Sequence, residues 1–207
     1  MTRVKICGLR RAEDALVATE AGADLLGLVF APSRRRIDPE TARELIVEVR
    51  ERTEATFVGV FVNADPREIN RAARICGLDY AQLSGTETDD VVDALELPAI
   101  QVFHVNLDGV DVALAHRIEA SRAELVMLDA SHENSYGGTG KSFTWTGGAR
   151  IARRFLLAGG LRAENVGEAV EAMKPWGLDV SSGVEIAGEK DHQKIRNFVT
   201  QVRSIGV

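Results

Sequence analysis

The sequence predicts an α/β chain built on eight parallel strands, and three observations carry that expectation. Short apolar, β-branched segments alternate from one end to the other with longer amphipathic ones, the pattern of repeated strand–helix units around a parallel sheet. Eight such pairs can be counted in 207 residues. That is roughly 26 residues per unit, enough for one strand, one helix and two short connections. No Pro-, Gly- or Ser-rich linker interrupts the series, so residues 1–207 read as one domain around one core. Periodicity leaves open whether the sheet closes into a (β/α)8 barrel or stays open and doubly wound.

The strand candidates are Val4 to Cys7, Leu25 to Phe30, Thr56 to Val62, Asp79 to Leu83, Ala99 to Val105, Leu125 to Asp129, Phe155 to Ala158 and Leu178 to Ser181. Helical patterns follow most of them. Pro39 to Arg52 begins behind an Asp38 cap and Pro66 to Ile75 behind Asp65, each with proline at the first helical position, where its missing N–H costs nothing. The polar, Gly-rich stretch Ser131 to Thr139 reads as a mobile loop over a site.

Hydrophobic residues make up 45% and charged residues 27%, a globular balance. A formal charge of −6 argues against nucleic acid or an anionic membrane as partner, because either would be met by a clustered basic face. The start MTRVKICGLR has no apolar stretch behind its basic residues, and no run approaches the length of a membrane span, so the expectation is a cytoplasmic protein. Cys7 and Cys76 then read as free thiols. The four histidines share no metal-ligand spacing with each other or with the cysteines, and no Rossmann or P-loop glycine pattern occurs. No metal is implied.

In a parallel barrel the chemistry collects where strands end, which singles out four places. Cys7 ends the first strand, two residues after Lys5 and four after Arg3, a spacing that shares one face. Cationic neighbours favour a thiolate and would draw its pKa from about 8.5 toward neutrality, as a proton-abstracting base requires. Cys76 sits in the same tetrapeptide, ICGL, but ends a helical pattern with Gly77 placed as its C-cap, and reads as a small packed residue. Asp129 ends an apolar strand, where a carboxyl partly withdrawn from water can hold a proton for delivery as a general acid. Its bland alternative is an anchor for the following loop.

Gly159 and Gly160, then Ser181-Ser182-Gly183, close the last two strands. Exposed backbone N–H groups there can surround a phosphate without a basic side chain, although either run alone is also a tight turn. The run Arg34-Arg35-Arg36 is the dense basic cluster, able to grip a carboxylate by bidentate bonds or to be merely solvated.

Taken in order, KICGL, LLGLVF with SRRRI, VGVFVN, AQLSG, LVMLDA, YGGTGKSFTW, LLAGGL, ENV and DVSSGVE with a nearby KD resemble the phosphoribosylanthranilate isomerase family across nearly the whole chain. The resemblance implies a single (β/α)8 TIM barrel catalytic domain and an Amadori rearrangement in tryptophan biosynthesis. It implies a small phosphosugar substrate, no cofactor and no obligate protein partner. It matches the family's base to Cys7 and its acid to Asp129, and places the carboxylate-binding arginine at Arg35, with Arg34 or Arg36 one residue away. It puts phosphate on Gly159, Gly160, Ser182 and Gly183, with Asp179 lining the same mouth. Two departures stand out: Ser84 where the family commonly has histidine, and Gln101 where it commonly has lysine. The related histidine-pathway isomerase would instead show an aspartate at the end of strand one and phosphate glycines in both halves of the barrel.

Overall fold

In the computed structural model, which describes residues 1–105, 109–129 and 148–205, the parallel sheet is closed. Its strands are β1 (Arg3–Cys7), β2 (Leu25–Val29), β3 (Thr56–Phe61), β4 (Tyr80–Leu83), β5 (Ala99–His104), β6 (Leu125–Asp129), β7 (Phe155–Ala158) and β8 (Gly177–Val180). They pair in sequence order, and β8 returns to β1 through Arg3↔Gly177 to Ile6↔Val180. Closure is what the strand pattern left undecided.

The surrounding helices are α1 (Ala12–Ala21), α2 (Pro39–Arg50), α3 (Pro66–Cys76), α4 (Asp89–Asp93), α5 (Val112–Ala120), α6 (Val166–Met173) and α7 (His192–Ser204). Local chemistry fixes their starts. Asp38 accepts from the Thr41 N–H, Asp65 from Arg67 and Asp191 from Lys194, each satisfying an otherwise orphaned donor and each worth about 1 kcal/mol. A short hairpin, β9 (Glu185–Ile186) with β10 (Glu189–Lys190), sits between β8 and α7. The Gly-rich segment between Ser131 and Thr139 lies outside the described residues.

Alternation along each strand divides the core into two. Val4, Ile6, Leu26, Leu28, Phe57 and Leu83 pack outward with the helices. Leu25, Val58, Ile100, Leu125, Met127 and Leu156 pack together as a second cluster inside the sheet, and each fully buried side chain of this size stabilises the fold by about 1.5–3 kcal/mol. The interior is interrupted by polar groups: Lys5, Gln82 and Asp179 are all buried. Their strand parity points them at the barrel axis.

No helix among the described residues is long and apolar enough to cross a membrane.

Candidate active site

Cys7, Asp129, Ala158 and Val180 end their strands at one rim of the barrel, the carboxyl rim. Cys7 clusters there with Val29, Ala31 and Val60. Beneath it lies Lys5, wholly buried, whose Nζ donates to Asp179 Oδ1 at 2.8 Å. The positive charge of Lys5 favours the thiolate of Cys7.

Gly27 on β2 makes room for this pair. A Cβ there would lie 2.8 Å from Cys7 Sγ and 3.1 Å from Lys5 Nζ, so any side chain would displace one of them. Gly27 is also the β-partner of Cys7.

The electrostatics differ from the sequence expectation. Burial is the largest influence on the Cys7 thiol and pushes its pKa up, while Lys5 and, more weakly, Lys190 pull against it. Arg3 does not contribute: it lies at the opposite end of β1 and pairs with Asp24 at 2.5 Å in solvent. Cationic neighbours were expected to set the thiol, but withdrawal from water outweighs them. Lys5 is itself held protonated, because Asp179 and Cys7 together overcome its burial.

At the mouth, Arg35 is engaged by a residue the sequence did not single out. Its Nε donates to Glu185 Oε1 at 2.7 Å and its Nη2 to Oε2 at 2.8 Å, a bidentate fork. Lys190 Nζ reaches the same carboxylate at 2.8 Å and Arg34 at 2.9 Å. Although desolvation opposes it, this cationic surround holds Glu185 down to about 2. Arg35 crosses the turn after Cys7: a Cβ on Gly8 would collide with its Cδ, and Gly8 has φ +79°. Of the basic run, Arg34 and Arg36 are exposed while Arg35 is half-buried.

The candidate phosphate glycines close the ends of β7 and β8 in tight turns. Gly159 and Gly160 have φ of 95° and 63°, and the space where a Gly160 side chain would stand is empty. Gly183 is pressed onto the loop after β7, where a Cβ would fall on the Leu161 carbonyl oxygen. The two loops therefore touch backbone to backbone. Beside them lies a cavity of about 250 Å³ lined by Arg162, Glu164, Ser182, Gly183, Lys194 and Asn197. Two cations thus stand near the glycines, where the sequence reading needed none.

A larger cavity, about 640 Å³, opens where the strands begin, between Arg3, Asp24, Tyr80, Leu125 and Trp176. It contains none of the candidate acid, base or phosphate-binding residues.

Cys7, Lys5 and Asp179 are brought together directly, and Arg35 joins them across Gly8. Asp129 shares the rim, paired in register with His104 and Ala158. Of the two departures from the family pattern, Gln101 accepts from Ser121 Oγ and donates to the Glu87 carbonyl, a structural brace. Ser84 Oγ accepts from Gln82 Nε2, and among the described residues no donor meets the buried Gln82 Oε1. Glu185 and Lys190, which meet beside Arg35, are not singled out by the sequence reading. Their signal was present in GVE followed by EKD, alternating charges directly after a strand end. Among the described residues no cluster of His, Cys, Asp or Glu could hold a metal ion.

These features describe an enzyme of the (β/α)8-barrel class with its candidate reactive groups at the carboxyl ends of the strands. A family model described as N-(5'phosphoribosyl)anthranilate (PRA) isomerase matches residues 4–201. The N-(5'-phosphoribosyl)anthranilate isomerase of Roseiflexus sp. (strain RS-1) is 45% identical over 212 residues, spanning 99% of each chain. That of Geobacter sulfurreducens is 42% identical over 207 residues, 98% of this chain and 99% of the relative. The crystal structure of phosphoribosyl anthranilate isomerase from Thermotoga maritima superposes with a TM-score of 0.85 at 36% identity, covering 99% of this chain and 100% of that one. A further crystal structure, of the enzyme in complex with reduced 1-(o-carboxyphenylamino)-1-deoxyribulose 5-phosphate, matches with a TM-score of 0.82 at 34% identity over 99% of this chain and all of that one. This chain belongs to the N-(5'-phosphoribosyl)anthranilate isomerase family, the isomerases of tryptophan biosynthesis.

Proposed function

We propose that the chain, acting as one catalytic barrel, converts N-(5-phosphoribosyl)anthranilate to 1-(o-carboxyphenylamino)-1-deoxyribulose 5-phosphate by a cofactor-free Amadori rearrangement. The observation that carries this reading is the placement of Cys7 and Asp129 at the same rim, with Lys5 buried beneath the cysteine.

In the first step Asp129, as the general acid, delivers a proton to the ribose ring oxygen as the C1–O bond breaks. The anilino nitrogen lone pair moves into C1, leaving an open-chain protonated Schiff base. The Cys7 thiolate then removes the proton on C2, and the C2–H electron pair flows toward nitrogen to give the enolamine. Tautomerisation, with the C2 hydroxyl proton lost and C1 protonated, yields the ketone. Each proton-transferring group supplies on the order of 10² to 10⁴ in rate, and the remainder comes from holding the substrate at both ends.

Those ends are the phosphate, at the backbone of Gly159, Gly160, Ser182 and Gly183, and the anthranilate carboxylate, at Arg35. Asp179 acts beneath the substrate by keeping Lys5 charged and placed against Cys7. With the thiol pushed up by burial, Lys5 is the group that favours the thiolate when the proton moves. The proposed setting is the cytoplasm, with a small phosphosugar as the only required partner.

The direct test is turnover of N-(5-phosphoribosyl)anthranilate, followed by the change in anthranilate fluorescence. Purified protein should consume the substrate with first-order dependence on enzyme, and Asp129→Asn should lose at least about 10²-fold in kcat. A folded Asp129→Asn enzyme with near-normal turnover would remove the acid from this scheme.

A further inference from the structure

A guanidinium offers two edges for bidentate contact, one formed by Nε and one terminal nitrogen, the other by both terminal nitrogens. Glu185 occupies the first edge of Arg35 with both carboxylate oxygens. Among the described residues no hydrogen bond reaches Nη1, so the second edge has an open donor. Glu185 is itself tied down: its side chain is 4% exposed, Lys190 and Arg34 bond to it, and Lys190 is anchored in turn on the Ser181 carbonyl at 3.0 Å. Ser181 Oγ donates to the Cys7 carbonyl at 3.0 Å. The chain of contacts thus ties the orientation of Arg35 to the strand that carries the candidate base.

We propose that Glu185 is a positioning residue, which locks Arg35 by one edge of its guanidinium and leaves the other edge to receive the carboxylate of the substrate. The proposal rests on the reading that Arg35 meets that carboxylate. Its physical content is preorganisation. A free arginine side chain loses rotamer freedom when it grips a ligand, whereas one already fixed on a buried acid does not. A neighbouring acid can have the opposite effect, competing with the ligand for the cation. The two roles differ in sign.

The test compares N-(5-phosphoribosyl)anthranilate with N-(5-phosphoribosyl)aniline, which lacks the carboxylate, in Glu185→Gln, Arg35→Ala and the combined variant. Positioning predicts that Glu185→Gln raises KM on the natural substrate by about tenfold, with kcat changed by less than about threefold. On the aniline substrate its KM should move by less than about twofold, and in the Arg35→Ala background Glu185→Gln should add nothing. Because Glu185→Gln leaves Lys190 buried without its carboxylate, the pair Glu185→Gln with Lys190→Met provides a second route, and the same selective rise in KM is expected. A lower KM in either variant would mean Glu185 competes with the substrate, and equal effects on both substrates would mean it is only structural; each result overturns the proposal. If Arg35→Ala itself penalises both substrates equally, the carboxylate reading of Arg35 fails and the proposal fails with it. If Arg35→Ala is selective and Glu185→Gln is not, the proposal alone fails.

Discussion

The chain carries the tetrapeptide ICGL twice, at Ile6 to Leu9 and at Ile75 to Leu78, and the two copies share more than sequence. Both cysteines are buried, both glycines are left-handed, with φ of 79° and 73°, and both leucines are buried in the layer between sheet and helices. They differ in what surrounds the sulfur. Cys7 ends a strand with an ammonium below it, whereas Cys76 ends α3 and donates its thiol proton to the Pro39 carbonyl at 3.2 Å. Burial raises both thiols. At Cys7 the lysines oppose it, but at Cys76 the nearby Glu40 and Asp38 add to it, and that thiol is pushed up to about 11. Local sequence sets the turn, and charge from outside the tetrapeptide decides whether burial of the sulfur is opposed or reinforced.

The sharpest way to break the comparison is to delete each thiol. Cys7→Ala should lower kcat by at least about 10²-fold while the circular dichroism spectrum is unchanged. Retained turnover in a folded variant would mean that the two copies are equivalent after all.

Deleting the ammonium comes next. Lys5→Met leaves Asp179 buried with its main partner gone, and breaking one side of a buried pair costs about 3–5 kcal/mol, to be read from urea unfolding. The surviving enzyme should show its kcat/KM rising only at more alkaline pH than the parent, since the group opposing burial at Cys7 is absent. An unshifted profile would separate Lys5 from the thiol.

The acid limb of stability tests the other charged cluster near Cys7. Glu185 is held at about 2, below its ordinary 4.5, so its contribution is complete above that ordinary value and disappears as pH falls from there toward 2. Urea midpoints should therefore drop between pH 5 and pH 2.5 in the parent, and drop less in Glu185→Gln. Equal slopes would show that the carboxylate is not held by Arg35 and Lys190.

The smallest effect belongs to the second copy. Cys76→Ala should leave turnover within about threefold and cost about 1 kcal/mol, as for a modest core change. Iodoacetamide at pH 8, followed by peptide mass mapping, should label Cys7 ahead of Cys76, because only one of the two has cations opposing its burial. The reverse order would invert the electrostatic argument.

The strand ends show how far sequence could go. β6 and β7 were placed to the residue, since an apolar run bounded by charge or glycine has few registers that bury it. β2 was extended one residue too far, to Phe30, because apolar character continued. In the fold Phe30 leaves the strand and stacks on Phe61 at 5.1 Å. Barrel closure was not legible in periodicity, being a property of how β8 meets β1 and not of either strand. The candidate base and the turn glycines were legible because position on a strand end is local information. Glu185 was not, because its meaning depends on Arg35, 150 residues away, and the sign of the Cys7 shift was not, because desolvation is set by everything packed around the sulfur.

Gly27 gives the barrel a sensitivity that no list of functional groups would reveal. It has no side chain to react, bind or titrate, yet the empty volume over it is the seat of both Lys5 Nζ and Cys7 Sγ. In a saturation library scored for growth without tryptophan, this position should be as intolerant as a reactive residue, and alanine should already be damaging. Scored for soluble expression, the same alanine should be milder, since the lysine head and the thiol can shift and the Cys7 Cα, 3.0 Å from the new Cβ on the neighbouring strand, has to give by only a few tenths of an ångström. A selection on activity and a selection on folding would therefore disagree most sharply at a residue defined by what it leaves out.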